Sequence, residues 1–141
     1  MGVRVRVRLL HENAEVETTA LVNTGFEAEQ PEILLPAKLA GKINLYPPPE
    51  GSLLEEYSTV GGIALMLRCS KTVKVKVLVE DRETPLIEAV PLISDREEEV
   101  LISDKLASEL MISIEDAAEG KWRFRDEPLT RIRTSEMPTY W

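Results

Sequence analysis

With 141 residues, 43% of them hydrophobic and 30% charged, the chain has the balance of one soluble folded domain rather than a disordered segment. A net charge of −8 disfavours nonspecific binding to nucleic acid or to anionic membranes. The single cysteine, Cys69, excludes an intrachain disulfide, and no CxxC pair exists for zinc or redox chemistry.

No apolar run approaches the roughly 20 residues of a membrane helix, and no signal-peptide pattern opens the chain, so a cytoplasmic protein is expected. The charge is unevenly spread. From Glu88 to Glu119 there are ten acidic side chains against two basic ones, Arg96 and Lys105, whereas the opening segment carries Arg4, Arg6 and Arg8 before its first acid, Glu12. Gln30 is the only glutamine; scarce Gln beside abundant Glu, Lys and Arg fits a protein from a hot environment.

Residues 3–9, VRVRVRL, alternate apolar and basic, the period of a half-buried strand with its arginines on the solvent face. HENAE reads as a turn and VETTALV as a second, β-branched strand, the two forming a hairpin that runs into Asn23. In residues 31–45, PEILLPAKLAGKINL, Pro36 suits a first helical turn, Leu35, Leu39 and Ile43 recur at helical spacing, and Gly41 keeps the helix short. YPPPEGS, 46–52, is a stiff spacer and turn. LLEEYSTVGGIALMLRC predicts two strands about a turn at Gly61-Gly62. TVKVKVLVE, 72–80, alternates again, with Lys74 and Lys76 outward. PLIEAVPLI and EVLI are apolar strands separated by the acidic turn SDREEE. SDKLASELM, 103–111, is the most helix-like segment, capped by Ser103 or Asp104, with Leu106, Leu110 and Met111 as its inward stripe. KWRFR, 121–125, is a late strand with Trp122 and Phe124 on one face. LISD occurs at 92–95 and 101–104 in different contexts and is read as coincidence, not as a repeat. The tally is about eight short strands and one or two short helices: a mostly-β barrel or sandwich over residues 1–127, followed by a polar C-terminal tail, 128–141.

The most informative stretch is residues 20–36, ALVNTGFEAEQPEILLP. An apolar strand end enters Asn23-Thr24-Gly25, then a polar loop, then an apolar run closed by Pro36. With Asp in place of Asn23 the stretch would resemble the active-site loop of an aspartic protease, in which two carboxylates share one proton and work as base and acid on water and peptide. The chain resembles the retropepsin-like aspartic proteases, in particular small single-domain prokaryotic members, over most of residues 3–125. A strand hairpin precedes the motif, STVGGIALML stands at the place of the family's flap, and EVLISDKLASELMISIEDAAEGKWRF follows its late pattern of apolar residues, helix, turn and strand. The chain departs from the family at Asn23, at Ser103 where a helix-opening Gly is usual, and at Met111 where Gly is common after the helix.

The resemblance implies a closed retropepsin-like β-barrel that dimerises to build its site. The motif residues would be Asn23, Thr24 and Gly25, with Thr24 locking the loop by hydrogen bonding and Val60, Gly61 and Gly62 forming the substrate-binding flap. No second Asp-Thr-Gly or Asp-Ser-Gly exists in the chain, so the protein is expected to be catalytically silent, either a natural pseudo-enzyme or a silenced peptidase. The alternative is a binding module whose cleft and flap hold an extended peptide without catalysis. Neither cofactor nor metal is expected.

Other constellations are read as structural. His11, the only histidine, lies in the expected turn, and Cys69 is a small buried side chain. Glu27, Glu29 and Glu32 match no cation cage and are read as solvated loop charges. The alternation of Trp122 and Phe124 with Arg123 and Arg125 is read as one buried and one wet face. Arg4, Arg6, Arg8, Lys74 and Lys76 are the residues a nucleic-acid reading would need, but none is expected to bind nucleic acid.

Overall fold

The alternation at the start of the chain becomes a two-stranded antiparallel ribbon. In the computed structural model, which describes residues 2–141 (of Thr59 the backbone alone), strand β1 (Arg4–His11) pairs with β2 (Ala14–Val22) in unbroken register from Arg4–Leu21 to His11–Ala14. Residue 1 of the expected domain lies outside the described residues. The two-residue turn is closed by Glu12 at φ 55°. Val3, Val5, Val7 and Leu9 point inward and are buried, while Arg6 and Arg8 stand outside, which is the period-2 separation of a sheet with one wet face.

Next come β3 (Glu32–Pro36), helix α1 (Ala37–Lys42), β4 (Leu53–Thr59) and β5 (Gly62–Arg68). They are followed by β6 (Val73–Val77), β7 (Ile87–Ser94), β8 (Val100–Ile102) and helix α2 (Asp104–Glu109). The chain ends with β9 (Ile112–Asp116), β10 (Lys121–Phe124) and β11 (Arg133–Thr134). The chain is thus mostly β with two short helices. Its centre is a closed six-stranded barrel, β3-β8-β2-β1-β6-β7, sealed by parallel pairing of β7 back onto β3 from Glu32–Val90 to Pro36–Ser94. Closure removes the free edges of those strands. The β4–β5 hairpin projects from β7, holding it by Leu67–Ile93 and Arg68–Leu92, and β9, β10 and β11 form a separate small sheet.

The barrel interior is filled by alternate residues of each strand, among them Val5, Ile33, Leu35, Val75, Ile93 and Ile102. Its ends are covered by Leu39 and Ile43 around α1, Leu106 in α2 with Leu110 just after it, and Trp122 and Phe124 from β10. Burial of each large side chain contributes about 1.5–3 kcal/mol, so the capping elements are not ornaments on the barrel.

Several expectations shift by a few residues. Leu35 lies in β3, not in a helix; α1 begins only after Pro36, and Leu35, Leu39 and Ile43 are all fully buried although three kinds of backbone carry them. The two-residue turn of the hairpin is Val60-Gly61, and Gly62, at φ 119°, already opens β5. Met111 does not share the helical stripe: it follows α2 at φ 64°, a left-handed position that favours Gly and costs another residue about 1–2 kcal/mol. His11 ends β1 rather than sitting in a turn, buried with Nδ1 2.8 Å from the Ile43 carbonyl oxygen. ISIED forms β9 without a periodic signal. The residues after Pro128 pack onto the domain: Ser135 accepts the Arg4 N–H at 2.7 Å, Glu136 N–H donates to the Arg4 carbonyl at 2.8 Å, and Trp141 Nε1 donates to Thr18 Oγ1 at 3.0 Å. Among the described residues no helix is long and apolar enough to cross a membrane.

Candidate functional site

Strands β2 and β3 are consecutive in sequence but not neighbours in the sheet. Strand β8 lies between them, parallel to β2 through Ala20–Val100 and antiparallel to β3 through Leu34–Leu101. The connection, residues 23–31, therefore arches over the end of β8, where the chain turns into α2.

Both sides of that crossing hold the loop. Asn23 N–H donates to the Ile102 carbonyl at 3.1 Å, and Asp104 N–H to the Phe26 carbonyl at 2.9 Å. Asp104 Oδ1 accepts Ala28 N–H at 3.0 Å. Ser103, fully buried, donates its N–H to the Glu32 carbonyl at 3.1 Å, and its hydroxyl oxygen accepts N–H groups from Glu32 at 3.0 Å and Leu106 at 3.2 Å. Ser103 is thus both the cap of α2 and the pin that holds β3.

Inside the loop, Asn23 Oδ1 accepts Gly25 N–H at 3.0 Å and the Asn23 carbonyl accepts Phe26 N–H at 3.0 Å. Because the acceptor in the first bond must be the oxygen, the Nδ2 group is left for other partners. A Cβ on Gly25 would stand 3.3 Å from Asn23 Oδ1, tight enough to disturb this turn. Thr24 is exposed and its hydroxyl makes no hydrogen bond within the described chain, so the loop is locked by Asn23, Ser103 and Asp104 rather than by Thr24.

A cleft of about 620 Å³ separates this loop from the hairpin. Asn23, Gly25, Phe26 and Glu27 line it from the loop, Tyr57, Ser58, Val60 and Met66 from the hairpin, Leu34 and Leu101 from the barrel wall, and Glu97 from the β7–β8 turn. Its floor is a second apolar cluster, distinct from the barrel core, of Leu34, Met66 and Leu92 with Phe26, Tyr57, Ala64 and Leu101 against them. Strand β3 is therefore buried on both faces, with Ile33 and Leu35 inward and Leu34 outward. The run EILLP is a sequence signal for such a two-sided strand.

The hairpin is tied to that wall by a partly buried ion pair. Glu32 is on the same face of β3 as Leu34, and its Oε2 accepts Arg68 Nη1 at 2.8 Å. Arg68 also approaches the Tyr57 hydroxyl at 3.5 Å, and Tyr57 donates to Glu55 at 3.0 Å. Burial, reinforced by the Glu55 hydrogen bond, pushes the Tyr57 hydroxyl up to about 12, so it is a neutral donor at physiological pH.

Of the expected site residues, Asn23, Gly25 and Val60 line one cleft, whereas Thr24, Gly61 and Gly62 are exposed beside it. No local pattern marks Phe26, Leu34, Tyr57, Met66 and Leu101 together as cleft residues, since their meeting depends on the hairpin folding back. The acidic trio does not converge: Glu32 is buried on Arg68, while Glu27 and Glu29 are exposed. Cys69 is buried, which raises its thiol to about 11 and leaves it a poor nucleophile. The basic stripe is largely neutralised, with Arg4 on Glu99, Arg6 and Arg8 on Glu17, and Lys76 near Glu83. A second groove of about 410 Å³, lined by Leu54, Leu65, Ile93 and Arg96 among others, has no Asn23-loop residue in its walls. Neither a protein-family model nor a curated protein sequence matches the chain.

Proposed function

We propose that the chain is a catalytically silent protein of the retropepsin-like aspartic-protease fold, a homodimer that holds an extended peptide between the Asn23 loop and the β4–β5 hairpin. The observation that supports this reading is the position of Asn23, on an arched loop at the end of β2 and in the wall of an apolar cleft covered by a hairpin. Hydrolysis by such a device needs two carboxylates sharing a proton, one to activate water and one to protonate the peptide carbonyl. A carboxamide supplies neither function. It still offers hydrogen bonds: with Oδ1 held by Gly25, the Nδ2 hydrogens serve a ligand carbonyl or a second copy of the loop.

A second reading, a peptide-binding module unrelated to proteases, is favoured by the state of β4. That strand ends the eight-stranded sheet and, among the described residues, pairs only with β5, so its outer edge offers main-chain groups to an added strand.

The substitution Asn23→Asp tests the first reading. It is nearly isosteric and keeps an oxygen for Gly25 N–H. The variant is expected to fold, to dimerise and to cleave peptides with large apolar residues at acidic pH, activity falling as pH rises through the pair's upper apparent pKa. The unmodified protein is expected to cleave nothing between about pH 3 and 7. A folded, dimeric Asn23→Asp protein without activity on a broad peptide library shows that the cleft is not a protease site and leaves the binding module as the leading reading. A monomer at micromolar concentration by light scattering rejects the dimer.

A further inference from the structure

The cleft carries charge that the preceding reading does not use. Glu27, on the Asn23 loop, and Glu97, on the β7–β8 turn, both line it, and neither carboxylate has an ion-pair or hydrogen-bond partner among the described residues. Among the described residues no Lys, Arg or His is in its lining. Arg68, which meets the floor through Tyr57, is already committed to Glu32. The remaining cation of the turn, Arg96, lines the other groove. Two unmatched carboxylates therefore stand over a floor of Leu34, Met66 and Leu101, in a protein of net charge −8.

We propose that Glu27 and Glu97 are charge-selectivity residues: the cleft takes an extended peptide with a large apolar side chain for the floor and a Lys or Arg within about two positions of it. The inference rests on the cleft being a peptide site. Its physical basis is complementarity. An acidic peptide would bring like charge against both carboxylates, whereas a basic one supplies the only charge type the lining lacks, beside apolar walls that strengthen the attraction. Both glutamates are exposed, so the gain is modest, about tenfold in affinity for the two together.

The test is fluorescence anisotropy on the full chain with three labelled peptides that share one apolar core and are flanked by Lys, Gln or Glu. The Lys peptide is expected to bind about tenfold more tightly than the Gln peptide at low salt, with the Glu peptide weakest, and the preference should shrink at about 0.5 M salt. The double variant Glu27→Gln/Glu97→Gln should bring the Lys peptide to the Gln-peptide level and leave the Gln peptide unchanged. A charge-matched control, Glu109→Gln/Glu119→Gln, removes two exposed carboxylates away from the cleft and should keep the preference. Equal affinity for all three peptides overturns the charge assignment and leaves the peptide cleft standing. So does a Lys preference that survives in the cleft variant or is lost equally in the control. A folded protein that binds none of the three overturns the peptide-cleft reading and this inference with it.

Discussion

Ser103 and Asn23 both use one side-chain oxygen to hold backbone, but in different surroundings. The Ser103 hydroxyl is fully buried and accepts the N–H groups of Glu32 and Leu106, so water cannot replace it. Ser103→Ala keeps the packing and leaves two donors without this acceptor. The expected loss is about 2–3 kcal/mol, above an ordinary cap because β3 loses its pin as well as α2. It should appear as a lower urea midpoint at an unchanged slope; a loss within about 0.5 kcal/mol would mean that other acceptors serve these donors. Asn23 is only half-buried and its acceptor bond lies within a turn, so its substitution bears more on the cleft than on stability.

Among the elements, the β4–β5 hairpin stands outside the closed barrel. It grips the barrel through two residue pairs with β7, the apolar floor, and the Arg68–Glu32 pair. Its outward positions include Leu54, Ile63 and Leu65, all more than half exposed, and Val60 at the turn is fully exposed. The ion pair therefore decides how firmly the hairpin covers the cleft. Arg68→Leu strands a buried carboxylate at Glu32 and is expected to cost about 3 kcal/mol, whereas Glu32→Leu/Arg68→Leu should recover most of it, because an apolar pair carries no desolvation cost. Hydrogen exchange should localise the effect. In Arg68→Leu the amides of β4 and β5 exchange faster while those of β1 and β2 keep their protection. Equal acceleration throughout would show that the pair supports the whole barrel, not the hairpin.

For the whole molecule, a charged and aromatic cluster joins the C-terminal segment to the barrel. Arg133 bonds Glu127 at 2.7 Å and Asp81 at 2.9 Å, Arg131 also pairs with Asp81, and Arg82 bonds Asp126 at 2.7 Å. Arg82 and Arg133 also lie 4.4 and 5.0 Å from the centre of the Phe124 ring. Hydrogen bonding from Arg133 first, and then from Arg131, holds the Asp81 carboxyl well below the usual range; Arg133 is also the chief cause of the lowering at Glu127. Lowered carboxylates stabilise the fold fully above their unfolded values, near pH 4, and the contribution disappears as pH falls through the lowered folded values. The melting temperature is accordingly expected to fall between about pH 5 and pH 2. Arg133→Gln should lower it at pH 7 and flatten that acid dependence, with part of the difference screened at about 0.5 M salt. Parallel melting curves for the two proteins across that pH range would show that the cluster does not set acid stability.

How much of this was legible in the sequence follows from what is local. The alternations in VRVRVRL, TVKVKVLVE and KWRFR set which side chains face the core, because a strand's period of two depends only on chain neighbours; Val5, Val75 and Phe124 are all fully buried. The Ser103 cap and the Asn23-Thr24-Gly25 turn were legible for the same reason, since each is made by a few consecutive residues. The cleft was not. Its floor exists because β8 inserts between β2 and β3, which makes the Asn23 loop arch, and because the β4–β5 hairpin folds over Leu34. A run such as EILLP, buried on both faces, carries no period that names its covering partner, and that is why Leu35 mimicked a helical stripe. Strand pairing and coverage join residues far apart in the chain, so only the closed barrel decided which carboxylates, Glu27 and Glu97, would face the cleft and which, Glu32, would be neutralised beneath it.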